Sequence, residues 1–219
     1  MQKEATTHLS RVEQLITDAF VMLELAHSGD DSSQSERCAR ASIIHSSSVV
    51  ESLANNCLRS LPLPTSLFNS LEQMPTLGKL EYYLWQIRRG ATLDKARKEV
   101  QAISELISLR NAYVHPKLRK MNEEMWTQLG IPKNADNWNA SHAENVFRKV
   151  ADFMKTYLVE LCDLDYRQIT WLVTSYVKTV EGGHVHMVRK ADKEALEKIG
   201  KFLKSDLIFL GRNPKAGAV

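Results

Sequence analysis

The run LDKARKEVQAISELISLRNAYVHPK, Leu93 to Lys117, sets the fold class. Asp94 to Val114 is expected to be one long amphipathic helix stopped by Pro116. Its apolar residues fall at Val100, Ile103, Leu106, Ile107, Leu109, Tyr113 and Val114. Steps of three and four keep such residues on one stripe of a helix, so this element should be buried along one side.

Two residues break the stripe. Arg110 sits on the line Val100, Ile103, Ile107, Val114, where an apolar side chain belongs. A guanidinium there is costly unless it is paired. His115 precedes Pro116, and the residue before a proline is pushed out of the helical region, so the helix should end near it. Asn111 and His115 are four apart and share a face while the helix lasts. Arg110 lies roughly 140° from His115 on an ideal wheel, so the two converge only if the chain deviates there, as Pro116 favours.

At 219 residues the chain is long enough for one sizeable domain, or one with an appendage. Its 43% hydrophobic and 25% charged composition is that of a water-soluble globular protein, and nine glycines and six prolines favour helices over loops. Cys38, Cys57 and Cys162 are odd in number and far apart, with no disulfide or zinc spacing, which points to a reducing compartment. No apolar run approaches the ~20 residues of a membrane span. Met1 to Glu4 lack the apolar core of a signal peptide. A cytoplasmic, non-membrane protein is therefore expected. Its charge is uneven: residues 1–165 hold 19 basic and 21 acidic side chains, residues 166–219 hold 10 and 5. A basic tail can be a nucleic-acid-facing surface or a solvated helix face.

From the N-terminus, residues 4–27 predict a first helix with a stripe from Leu9 to Ala26. SGDDSSQS, Ser28 to Ser35, is a polar break. A second helix should run from Glu36 to Ser60, with Ser35 as N-cap. Its centre, Ile43 to Glu51, is rich in small residues that permit close helix approach. Glu51 falls on the line Ile44, Ser48, Asn55, Leu58 and should face inward. Leu61 to Pro64 ends it, and Thr65 to Gln73 can form a short helical turn. Leu77 to Gly90 predicts a third helix, with the Asp94–Val114 rod the fourth. Lys117 to Asn139 is irregular, with Trp126 and Trp138 as anchors. Ser141 and Glu144 have capping-box spacing, opening a fifth helix to Asp163. Beyond it, Ile169 to Lys178 alternates with period two, as in a strand. Glu181–Gly183 can turn, His184 to Arg189 can return as a strand, Ala191 to Lys204 can form a basic helix, and Leu207 to Leu210 another strand. Asn213 to Val219 should be disordered. The expected division is 1–165, a helical bundle, and 166–219, a small basic α+β appendage.

Arg110, Asn111 and His115 at the end of a late bundle helix resemble the signature of the HEPN family (higher eukaryotes and prokaryotes nucleotide-binding domain): an Arg, four to six residues, then His, often with a polar residue directly after the Arg. The small-residue helix around Ile43–Glu51 is similar to that family's core. The resemblance covers about residues 1–163 and not the tail. It implies a mainly α, HEPN-like antiparallel helical bundle. It also implies a homodimer in which two motifs meet in one composite cleft, and a metal-independent endoribonuclease of the toxin, phage-defence or RNA-processing type, with an antitoxin or regulatory protein as a further partner. The sequence departs from toxin members at Lys117, where they often carry Tyr. Pro116 after the His is common in members of less certain activity.

RNA cleavage without a metal or other cofactor needs a base for the ribose 2′-OH proton, a cation for the phosphate and an acid for the leaving 5′-oxygen. His115 suits proton transfer and Arg110 bidentate phosphate binding. Asn111 can hold the imidazole or the phosphate, and Lys117 and Arg119 can grip flanking phosphates. The alternative is a non-catalytic HEPN-like helical module for dimerisation and nucleotide or protein binding, in which Arg110 pairs with Glu51 and His115 caps a helix. His184 and His186 share one face of a strand and can approach zinc, but no third ligand accompanies them. His45 beside the serines has no acid partner for a triad. Trp171 and Tyr176 are expected to pack rather than stack RNA.

Overall fold

The computed structural model describes residues 6–8, 11–29, 31–114, 125–174, 176–178, 184–186, 190–205 and 207–210. Eight α-helices dominate them: α1 (Val12–Ser28), α2 (Ser32–Ser60), α3 (Thr65–Glu72), α4 (Thr76–Ile87), α5 (Lys98–Val114), α6 (Ala140–Lys155), α7 (Tyr166–Val173) and α8 (Lys190–Leu203). Short strands β1 (Thr6–His8), β4 (Tyr176–Lys178) and β5 (His184–His186) form one antiparallel sheet in the order β1-β4-β5. A second pairs β2 (Met125–Trp126) with β3 (Ile131–Pro132). The fold is mainly α.

The rods α1 and α2 approach closely because small residues line the seam. Ser35 Oγ donates to Ala26 O at 2.6 Å and Ser42 Oγ to Ala19 O at 2.8 Å. The serines are seven residues apart and climb α2 as the alanines descend α1, so the rods are antiparallel. Ser35 is therefore a seam residue and not the N-cap of α2. That role falls to Asp31, whose carboxylate accepts from Ser33 N at 3.0 Å, and the serines of the expected break supply the first turn of the helix.

The expected stripe of the fifth helix is Val146, Val150, Phe153, Met154, Tyr157, Leu158 and Leu161; the first six are buried and Leu161 is half-buried. Its ends differ. The cap is Asn139, whose side chain accepts from His142 N at 3.0 Å while His142 Nδ1 accepts from Asn139 N at 3.3 Å. Ser141 and Glu144, expected to form that box, lie within the first turns, and Glu144 pairs with Arg148 at 2.9 Å. The far end widens into a π-helical turn, Thr156–Leu161. There Tyr157 stacks on Phe153 and donates its hydroxyl to Leu80 O at 2.7 Å.

The tail departs most from expectation. Tyr166 to Val173 is a helix, not a strand. Asp165 and Gln168 cap it reciprocally, each bond 2.9 Å. Ile169, Leu172 and Val173 then fall three and four apart and are buried, while Trp171 is turned outward. Leu207–Leu210 is a 3-10 turn, not a strand. Thr6 to His8, expected to be helical, is strand β1 paired with β4. Ile169, Leu172, Val173, Leu196, Ile199, Phe209 and Leu210 belong to the same buried cluster as α1, α2 and α6. The compositional change near residue 165 thus does not coincide with a break in packing. The expected turn at Glu181–Gly183 and the disordered Asn213–Val219 lie outside the described residues. No helix among those described is long and apolar enough to cross a membrane.

Candidate functional site

Helix α5 carries the motif, and its buried stripe is shorter than the sequence suggests. Val100, Ala102, Ile103, Leu106 and Leu109 are buried, whereas Tyr113 and Val114 are 45% and 48% exposed. The last turn therefore lies at the surface. Three contacts fix its direction. Glu105 accepts the backbone N–H groups of Gln128 and Leu129 at 2.8 and 3.0 Å, tying α5 to the β2–β3 turn. That turn needs Gly130, which has φ +65 and leaves no room for a Cβ beside Asn145. Tyr113 stacks on Trp138, ring centroids 5.9 Å apart, and buried Trp138 donates its Nε1–H to Pro132 O at 2.7 Å.

On this turn Arg110 is held from two sides. Its Nη2 lies 3.3 Å from Glu51 Oε2 of α2, and its Nη1 donates to Asn111 Oδ1 at 3.2 Å. The arginine and glutamate side chains keep 35% and 45% of their exposure. Glu51, expected to face inward, keeps nearly half its exposure midway along its line, one turn from Asn55, which accepts from Lys79 Nζ at 2.7 Å. A guanidinium has five N–H donors, and the two contacts leave others for an anion. His115, Pro116, Lys117 and Arg119 lie outside the described residues.

The remaining sequence candidates separate. His45 is half-buried in α2. Trp171 and Tyr176 sit in different elements, α7 and β4. His184 and His186 are in β5. Among the described residues no group of three or more His, Cys, Asp or Glu is placed to hold a metal ion.

One concavity went unread in the sequence. A cleft of about 660 Å³ opens between the ends of α2 and α4, the chain after the π-helical turn, and α7. Arg59, Arg88, Asp163 and Trp171 are among its lining residues, with Tyr83 and Cys162 beneath. The only signal was the placement of Arg59 and Arg88 at helix ends, which does not distinguish a cleft from a solvated surface.

Burial pushes the Cys162 thiol up to about 12, and it pushes Cys57 and the Tyr83 and Tyr157 phenols up as well, with the nearby thiols adding to each. These groups are protonated at neutral pH. A folded-state pKa above the unfolded one gives stability that is complete below the unfolded value and lost as pH rises through the folded one. The urea midpoint should therefore hold from pH 7 to about pH 8.5, near the free thiol value, and fall continuously toward pH 12. For Cys162 alone the loss is on the order of 4 kcal/mol at ~1.4 kcal/mol per unit. Circular dichroism across that range checks it, and Cys162→Ala should flatten the slope.

Comparison with known protein families, characterised proteins and solved structures gives no match to any of them.

Proposed function

We propose that the chain is a HEPN-like, metal-independent endoribonuclease of the cytoplasm, of toxin, phage-defence or RNA-processing type, that cleaves RNA by 2′-OH attack at a dimeric Arg–His site. The observation that carries this is the surface position of the last turn of α5. That turn presents a guanidinium already oriented by Glu51 and Asn111 at a surface rather than within the core. His115, one residue past the helix, would move the proton. Arg110 would bind the scissile phosphate, Asn111 would steady it, and Lys117 and Arg119 would grip its neighbours. Exposed Tyr113 and Val114 give the turn an apolar surface that a second copy of the chain would cover. An antitoxin or other regulatory protein could occupy the same face.

The Arg110–Glu51 pair also favours a second reading: a non-catalytic HEPN-like module for dimerisation and nucleotide or protein binding, in which the pair only joins α2 to α5. Purified protein incubated with mixed RNA in EDTA separates the two. Under the first reading RNA is cut to 2′,3′-cyclic phosphate ends, and His115→Ala loses ~10²-fold or more while sedimentation still gives a dimer. Absence of cleavage over a wide protein range, or cleavage unchanged in His115→Ala, leaves the second.

A further inference from the structure

The cleft between α2, α4 and α7 plays no part in the proposed cleavage: Arg110, Asn111 and Glu51 do not line it. Its volume, about 660 Å³, is that of a small-molecule pocket. The lining combines two kinds of chemistry. Arg59, in the last turn of α2, and Arg88, just after α4, bring two guanidinium groups to it, while Trp171 brings a half-exposed indole. The floor, Tyr83 and Cys162, is uncharged at neutral pH and does not repel an anion.

Both guanidinium groups hold carboxylates that stand in solvent. Arg88 Nη1 is 2.8 Å from Asp163 Oδ2, whose side chain is 75% exposed, and Arg59 Nη2 is 3.5 Å from Glu72 Oε1, 40% exposed. Such exposed pairs are weak. An anion lodged against the cleft wall can displace either carboxylate, because a guanidinium grips phosphate or carboxylate by two parallel N–H bonds. The wall itself is unusual. It follows the π-helical turn Thr156–Leu161, and Asp163 takes a left-handed backbone, φ +54. Long-reach bonds from Cys162 N to Tyr157 O, 2.9 Å, and from Leu164 N to Leu158 O, 3.0 Å, hold it there. Single π-turns and outlying backbone residues cluster at ligand sites.

We infer that this cleft is a binding site for a small aromatic anion, its flat ring against Trp171 and its phosphate or carboxylate on Arg88 and Arg59. A ring on the indole face gains stacking contact, and an acid group on the two guanidinium groups gains bidentate bonds. Neither half alone has both.

Isothermal titration calorimetry of the full chain with 1-naphthyl phosphate and with 1-naphthoate tests this. At least one should bind saturably and at least 10-fold tighter than inorganic phosphate or 1-naphthol, and the tighter of the two identifies the acid group. Arg88→Gln and Trp171→Ala should each weaken it 10-fold or more with unchanged far-ultraviolet circular dichroism. Arg110→Gln should leave it unchanged. Binding of neither probe, equal binding by Arg88→Gln, or loss of binding in Arg110→Gln overturns the assignment. Because the last variant lies in the other site, failure here and failure of the ribonuclease reading are separately visible.

Discussion

Arg110→Ala is expected to lower RNA cleavage by ~10³-fold or more, on the scale of removing a cation or oxyanion donor from a transition state. The melting temperature should stay nearly fixed. The two effects separate because of where the side chain sits. Its guanidinium is one-third exposed and its partner Glu51 nearly half exposed, so the ion pair contributes only about 0–1 kcal/mol. For a chain of this size that is a shift of about 4 °C at most. Helix α5 remains anchored by Ile103, Leu106 and Leu109, all fully buried. Arg110→Lys should keep the charge and lose the fork, recovering part of the activity. Glu51→Gln keeps an oxygen for Arg110 and should change cleavage by less than ~10-fold. If instead Arg110→Ala and Glu51→Gln lower stability alike and leave cleavage untouched, the pair is only a strut between α2 and α5.

The fold was legible where periodicity and burial agree. The stripes of α1, α5 and α6 follow steps of three and four, and most of their residues are buried, Tyr113 and Val114 at the end of α5 excepted. It was illegible where one local signal outweighed another. Ile169 to Lys178 is β-branched and alternates, but the reciprocal Asp165–Gln168 cap starts a helix, and burial of Ile169, Leu172 and Val173 completes it. Strand propensity is a weak preference that tertiary packing overrides. The cap of α6 was missed because His142 serves where glutamate was expected. At the site, the alignment of Arg110 with Glu51 was readable from helical spacing on two rods, because each falls on a line of otherwise apolar or small residues. The exposure of Tyr113 and Val114 was not readable, since no spacing tells where a helix leaves the body it packs on. The cleft was hidden for a related reason. Its walls come from four separate segments between Asn56 and Leu172, and one of them exists only because a helix widens into a π turn.

Trp138→Ala should have the largest effect on stability, about 3–5 kcal/mol as for other large aromatic truncations in cores. The corresponding drop in melting temperature is about 10 °C, given ~2–4 °C per kcal/mol for a chain of this length. Trp138 is the largest fully buried side chain among the described residues, with 1% of its surface exposed. It does three things at once: it fills the core beside α6, bonds Pro132 O at 2.7 Å, and stacks on Tyr113. It also immediately precedes Asn139, the cap of α6. Trp138→Phe keeps a ring for Tyr113 and removes the indole donor from the partly buried Pro132 carbonyl, a smaller loss of about 1–3 kcal/mol. The functional consequence follows from spacing. Tyr113 is three residues beyond Arg110, on the same exposed turn, so loss of the stack loosens the end that carries the guanidinium. At a temperature where Trp138→Ala remains folded, RNA cleavage should fall more than in Trp138→Phe. This is the converse of the outcome expected for Arg110→Ala, loss of the proposed activity with the melting temperature nearly fixed. A Trp138→Ala protein that melts within about 2 °C of the parent, well under the ~6 °C minimum from these magnitudes, would mean that the segment from β2 to α6 is not part of the cooperative core. The end of α5 would then have no fixed support.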